Sequence, residues 1–257
     1  MSRSPVVVEK LDHITVVRLN RPERKNAIDR PTAEALHQAF EEFDSDTMAR
    51  VAVLTGAEGV FCSGADLKAV SNPETRNNID SDGAGPLGPT RMQLSKPVIA
   101  AIEGYAVAGG LELALWCDMR IASSNAVFGV FCRRWGVPLI DGGTVRLPRI
   151  IGQGRAMDMI LTGRSVNAEE ALSWGLANRI VEEGKALNEA LELAQQIAGF
   201  SQECMKADRL SAYNQWNWPL ERALREEGCS ASQVLEQEGV AGAMRFSNGA
   251  GRHGSFE

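Results

Sequence analysis

Two short stretches, VAVLTG at 51–56 and KPVIAAIEG at 96–104, constrain the fold of this chain more than any other part of it. Each is a continuous apolar run rather than an alternating one, and each ends at a glycine. Strands of that kind are buried on both faces, so other layers must cover them. The helical text supplies the cover. Leu36, Ala39, Phe40 and Phe43 recur on one face of a helix over 32–44. An α/β core follows from these elements together.

Further elements fit that core. VVVEKLDHITVVRLN reads as a hairpin of two β-branched runs around Asp12, and DMRIAS and AVFGVF read as two more strands. FCSGADLKAV reads as a turn into a short helix. Residues 71–95 are rich in Asn, Asp, Gly, Ser and Pro without periodicity, which predicts a surface loop long enough to be functional or mobile. Asn167, Glu170 and Gly175 give a helix its cap, third position and terminator. Leu187, Ala190, Leu191, Ala194, Ile197 and Ala198 form the stripe of another helix that ends at Gly199. The rest is helical and acidic with a Gly-rich tail. The predicted organisation is an α/β core over 1–200 and a helical region over 201–257. Strand–strand–helix units follow a loose spiral, although no sequence repeat is detectable.

Composition narrows the function classes. A net charge of −6 argues against nucleic acid or an anionic membrane as the main partner, since both need a basic surface. No apolar run reaches the length of a membrane span, and Glu9 and Lys10 interrupt any leader-like start. Cys62, Cys117, Cys132, Cys204 and Cys229 are scattered, without a C-x-x-C pair, so neither a disulfide frame nor a zinc site is indicated. His13, His37 and His253 are far apart. The expectation is a cytoplasmic, metal-free protein with reduced thiols.

The chemistry concentrates in two strings of one design, CSGAD and GYAVAGGLELALWCDMR. Each leads from a strand toward a helix and offers the N–H of a residue with little or no side chain, Ala65 in the first and Gly109 in the second. Glycine frees a backbone for close approach, and a helix N-terminus presents unpaired N–H groups with a positive dipole end. Two converging donors make an oxyanion hole, in which one donor is worth about 3 kcal/mol of transition-state stabilisation. Taken singly, either string is equally a tight turn with small residues for packing. Neither is a dinucleotide fingerprint, a phosphate loop or a nucleophile elbow.

The two strings in this order, followed by FGVFCRRWGVPLIDGGTVRLPRIIG, resemble the crotonase superfamily, the enoyl-CoA hydratase/isomerase group. The likeness runs from RLNRPERKNAI to past LTGRSVNAEEALSWGLANRIV. It implies a ββα spiral core with a C-terminal helical region that packs trimers, commonly paired into hexamers. It also implies an acyl-CoA thioester as substrate, with coenzyme A entering as part of that substrate and no separate cofactor. Carried over by position, Ala65 and Gly109 are the donors that hold the thioester oxygen as an enolate forms.

The resemblance specifies the reaction less well. Enoyl-CoA hydratases work on one water with two glutamates. One falls at Glu112 and the other at Cys132, and no Asp or Glu lies between Asp118 and Asp141. Cys132 is a poor substitute for a carboxylate and reads more naturally as a small buried residue. Two acids remain. Glu112 is either a working carboxylate or a partner of its own helix dipole. Asp141 matches a place where some isomerases and hydrolases of the superfamily keep a working aspartate, and it is also a plausible N-cap for the helix that follows. Isomerase or hydrolase chemistry is therefore expected ahead of plain hydration. The alternatives are hydration by Glu112 with Asp141, or an acyl-CoA-binding protein without catalysis. For coenzyme A the resemblance points to Arg24, Lys25 and Lys68 near the phosphates and to Cys62, Ser63 and Ala65 around the adenine. The 71–95 loop is expected as a lid over the acyl chain, and Trp135 as an apolar wall or a core residue.

Overall fold

The computed structural model describes residues 4–251. In chain order its strands are β1 (Val6–Leu11), β2 (Ile14–Leu19), β3 (Val51–Gly56), β4 (Val98–Ile102), β5 (Tyr105–Val107), β6 (Met119–Ser123), β7 (Val127–Gly129), β8 (Ser165–Asn167) and β9 (Arg179–Val181). Six of them form one sheet in the order β1-β2-β3-β4-β6-β9, and β5-β7-β8 form a second. β1 and β2 pair antiparallel as a hairpin with Asp12 at positive φ in its turn, and every later pairing of the large sheet is parallel. β4 is buried throughout and β3 in all but its final glycine, as their unbroken apolar text requires.

Helix α1 (Arg30–Ser45) starts at Asp29, whose side chain accepts the Thr32 N–H at 3.1 Å. Its face of Leu36, Ala39, Phe40 and Phe43 is buried, and the Phe40 ring meets Trp116 edge-on at 4.8 Å. Helix α2 (Gly109–Trp116) buries seven of its eight residues, so it is a core element apolar on every side except at Glu112. α3 (Gly143–Ile151), α4 (Gln153–Thr162), α5 (Ala168–Trp174) and α6 (Ala186–Gly199) follow, α5 with Asn167 as its cap and Gly175 as its left-handed terminator.

The chain divides into two compact units, one ending at Ile197 and one beginning at Ala198. The second contains α7 (Gln202–Asn214), α8 (Leu220–Val234) and α9 (Val240–Ser247); α8 runs into α9 through a π-helical segment, Leu235–Gly239, and none of these helices buries a residue. Among the described residues no helix is long and apolar enough to cross a membrane.

Three expectations need correction. No helix follows CSGAD; residues 67–70 are turns, because the Asp66 carboxylate accepts the Lys68 N–H and the Asp66 carbonyl accepts the Ala69 N–H. AVFGVF is strand only over β7 and then turns into a 3₁₀ segment, Phe131–Trp135. The 71–95 loop is not a surface loop throughout: 85–90 are all buried, with Leu87 and Thr90 each 1% exposed, before Arg91, Gln93 and Ser95 are exposed again. Strands β5, β8 and β9 are three residues each, too short to leave a period in the text.

Candidate active site

The site is built where the turn after β3 meets the start of α2. Cys62 donates its N–H to Tyr105 and accepts from Val107, stitching the turn to β5. Ile28 then bridges Ala65, donating its N–H to the Gly64 carbonyl and accepting from the Asp66 N–H, which leaves the Ala65 N–H outside the ladder. Both glycines of α2 answer to this contact. A Cβ on Gly110 would stand 2.1 Å from the Cys62 carbonyl oxygen, and one on Gly109 would strike Leu87 at 2.5 Å. That same Cβ would lie 3.5 Å from the Ala65 nitrogen, and one on Gly64 2.8 Å from the Gly109 nitrogen. The Ala65 and Gly109 amides are thus close neighbours. Among the described residues neither donates a hydrogen bond.

The residue before them is strained. Ala108, the N-cap of α2, has φ 53° and ψ −125°, a backbone state that suits glycine. Such outliers cost of order 1–3 kcal/mol and persist only where the surroundings enforce them. Here the Ala108 N–H is held by the Gly129 carbonyl and its own carbonyl by Leu111 and Glu112. The strain fixes the direction in which the first amide of α2 leaves the turn.

One turn further along, Glu112 is 3% exposed. Its Oε1 accepts from the Asp141 N–H at 2.9 Å and the Gly143 N–H at 2.8 Å. Glu112 therefore looks to the start of α3 and not to the dipole of its own helix. Gly143 allows this close approach: a Cβ there would come within 2.9 Å of the Glu112 side chain, which would have to shift. Burial pushes the Glu112 carboxyl up to about 7; the Gly143 amide works against that shift and the Asp141 charge adds to it.

Asp141 is 3% exposed and does not cap α3; Gly142 holds the cap position. Its Oδ1 instead accepts from the Leu87 N–H at 3.0 Å and from the Thr90 hydroxyl. Burial raises its carboxyl above the ordinary range, opposed by those two donors and by the positive charges of Arg91 and Arg146. Among the described residues, the other oxygen of each acid, Glu112 Oε2 and Asp141 Oδ2, takes no hydrogen bond. Cys132 is 8% exposed in the 3₁₀ segment after β7. Burial, with the Glu112 carboxylate close by, raises its thiol, which stays protonated.

The remaining expected residues separate into two groups. Arg24, Lys25 and Ser63 are together: Ser63 donates its N–H to the Lys25 carbonyl at 3.1 Å and its hydroxyl to the Arg24 carbonyl at 3.4 Å. Lys25, in the left-handed region, rests its ammonium 5.2 Å from the Tyr105 ring. Lys68 is exposed on the turn after Ala65. Cys62, next to Ser63, and Trp135 differ from these in exposure. Cys62 is fully buried, with its N–H and carbonyl joined to β5 and its thiol pushed up to about 12 by burial, so it shapes the turn and offers no exposed group. Trp135 is 71% exposed, on the protein surface and not in the core.

Sequence reasoning missed the frame around these residues. Arg21 pairs with Asp29 at 2.9 Å and Asp66 at 3.1 Å, and Asn26 spans Arg21, Ala57 and Val60, locking the first loop to the CSGAD turn. Arg146 donates to the Asp141 carbonyl at 2.9 Å and the Thr90 carbonyl at 2.7 Å. RPERKNAI carried a signal for the first lock in its closely spaced Arg, Lys and Asn; nothing local marked the second.

A spiral α/β frame with two glycine- and alanine-lined turns abutting at a buried helix start, and two buried acids beside them, defines a crotonase-type protein. The chain belongs to the enoyl-CoA hydratase/isomerase family, which its residues 9–242 match. It is 42% identical over 224 residues to the (E)-benzylidenesuccinyl-CoA hydratase of Thauera aromatica, covering 86% of each chain. It is 35% identical over 249 residues to the short-chain-enoyl-CoA hydratase of Clostridium acetobutylicum, covering 95% of this chain and 94% of that one. The crystal structure of enoyl-CoA hydratase EchA1 from Mycobacterium marinum superposes with a TM-score of 0.90 at 34% identity, covering 96% of both.

Proposed function

We propose that this chain moves a double bond along the acyl group of a coenzyme A thioester, through an enolate whose oxygen is held by the N–H groups of Ala65 and Gly109. Glu112 and Asp141 handle the protons. One takes a proton from the α-carbon of a 3-enoyl thioester, and the electron pair spreads into the carbonyl as a dienolate. The other gives a proton to the γ-carbon. The double bond passes from C3–C4 to C2–C3 with no net change in atoms, and the roles exchange in the reverse direction. No cofactor is needed beyond the coenzyme A of the substrate.

One observation carries this reading. Each acid has one oxygen fixed by protein donors and, among the described residues, no donor on the other, in a site with no carboxylate at Cys132. A carboxyl with a proton affinity near neutrality is suited to giving and taking protons at physiological pH. Arg24, Lys25, Lys68 and the Ser63–Ala65 turn are the proposed coenzyme A contacts. Self-association into trimers or pairs of trimers covers the C-terminal helices, where Leu220, Leu235 and Phe246 are 76%, 62% and 70% exposed.

A second reading is water addition or elimination with Glu112 and Asp141 as the pair. It is favoured by the hydratase and dehydratase relatives, including a carnitinyl-CoA dehydratase of Proteus mirabilis at 45% identity over 182 residues. Assaying 3-enoyl-CoA isomerisation beside crotonyl-CoA hydration separates the two. Isomerisation outrunning hydration, with Glu112→Gln and Asp141→Asn each lowering it by ~10²–10⁴-fold, is expected. Hydration as the faster reaction would favour the second reading. A substrate that binds without exchanging its α-hydrogen in heavy water would remove both, leaving a carrier.

A further inference from the structure

The buried part of the 71–95 loop grips the second acid, and this bears on the reaction itself. We propose that Thr90 is a positioning residue for the proton chemistry: its hydroxyl, with the Leu87 N–H, fixes Oδ1 of Asp141 and so turns Oδ2 toward the substrate. The inference rests on the reading of Asp141 as a proton-handling acid.

Thr90 is 1% exposed, so its hydroxyl has no competing water. Its hydroxyl lies so close to Gly85 that a Cβ there would stand 2.0 Å from Thr90 Oγ1. The hook that carries it is itself pinned. Gly88, at φ 95°, lies so close to α1 that a Cβ would meet the Ala33 carbonyl oxygen at 2.3 Å, and Asn77 donates to the Pro86 carbonyl at 2.8 Å. Arg146 ties the two partners from the other side, through one nitrogen to the Asp141 carbonyl and another to the Thr90 carbonyl. Leu87 completes the link to the amide pair, since its side chain abuts Gly109 while its N–H holds Asp141.

The hydroxyl also bears on charge. Arg91 and Arg146 favour the ionised carboxylate, while on the facing elements the Asp141 charge raises the Glu112 carboxyl of α2 and the Cys62 thiol of the turn after β3. A hydroxyl donating to Oδ1 helps to hold Asp141 ionised against burial. Removing it moves proton loss from Asp141 to higher pH.

The test compares Thr90→Val and Thr90→Ser with the parent in the isomerisation assay, reading kcat, KM, the pH profile and the melting temperature. Thr90→Val is expected to lower kcat by about ten- to a hundredfold, the loss of one hydrogen bond to a charged group, with KM little changed. The acid limb of its profile should move to higher pH, and Thr90→Ser should restore kcat and profile. Full activity in Thr90→Val, no recovery in Thr90→Ser, or an unmoved profile with kcat, KM and melting temperature falling together would overturn the proposal. Asp141→Asn separates the two levels. If it is inactive while Thr90→Val is unaffected, only the role of Thr90 fails; if it keeps parental turnover, the reading of Asp141 fails as well.

Discussion

Glu112 sits in the first turn of one helix and rests on the start of another, and its burial has a cost that can be measured. Its carboxyl is raised from an ordinary 4.5 to about 7, so the folded chain holds that proton more tightly than the unfolded chain does. The stability this provides is complete below about pH 4.5 and is lost as pH rises through about 7, a difference of roughly 3 kcal/mol. Glu112→Gln keeps an acceptor for the Asp141 and Gly143 amides but cannot ionise. Thermal melts should show the variant above its parent by several degrees near pH ~8 and level with it near pH ~4.5. An offset that ignores pH would contradict the assignment of burial as the cause. Both acids were visible in the sequence, Glu112 as a lone charge in an apolar turn and Asp141 as the next acid after a long gap. What holds them was not. Leu87 and Thr90 reach Asp141 across 54 and 51 residues, and no local pattern encodes a partner at that range.

The start of α2 is the element on which the site turns. Its two glycines were legible because only glycine permits so close an approach, and the structure supplies the obstacle: the Cys62 carbonyl oxygen for Gly110, Leu87 and Gly64 for Gly109. The left-handed Ala108 was hidden, since nothing in an alanine announces positive φ. Two substitutions should therefore act in opposite directions. Gly110→Ala forces a methyl against a carbonyl oxygen and should destabilise by roughly 1–3 kcal/mol, with activity lost as the turns separate. Ala108→Gly relieves a backbone state that suits glycine and should stabilise the fold by about 1 kcal/mol, read as a higher melting temperature. A fall in stability for Ala108→Gly would mean that the turn is not strained. The 71–95 loop shows how composition misleads. Asn, Gly and Pro describe its exposed stretch, but in 85–90 Gly88 packs closely against α1 and Gly85 against Thr90.

For the molecule as a whole, the hairpin, the two apolar strands and the first helix were enough to fix the α/β class, while the three-residue strands emerge only from pairing across the sheet. The helices beyond Ala198 bury none of their own residues. If self-association covers them, light scattering should give a mass of three or six chains. Leu220→Glu combined with Phe246→Glu should lower it; a monomer in the parent would contradict that reading. The central claim remains that the amides of Ala65 and Gly109 hold one carbonyl oxygen. Difference infrared spectroscopy of a thioester labelled with ¹³C at its carbonyl tests this directly. Two amide donors should polarise the bond, so its stretch should fall to lower frequency on binding and keep that shift in Glu112→Gln. A carbonyl band that stays at its solution frequency in the bound state would contradict the account.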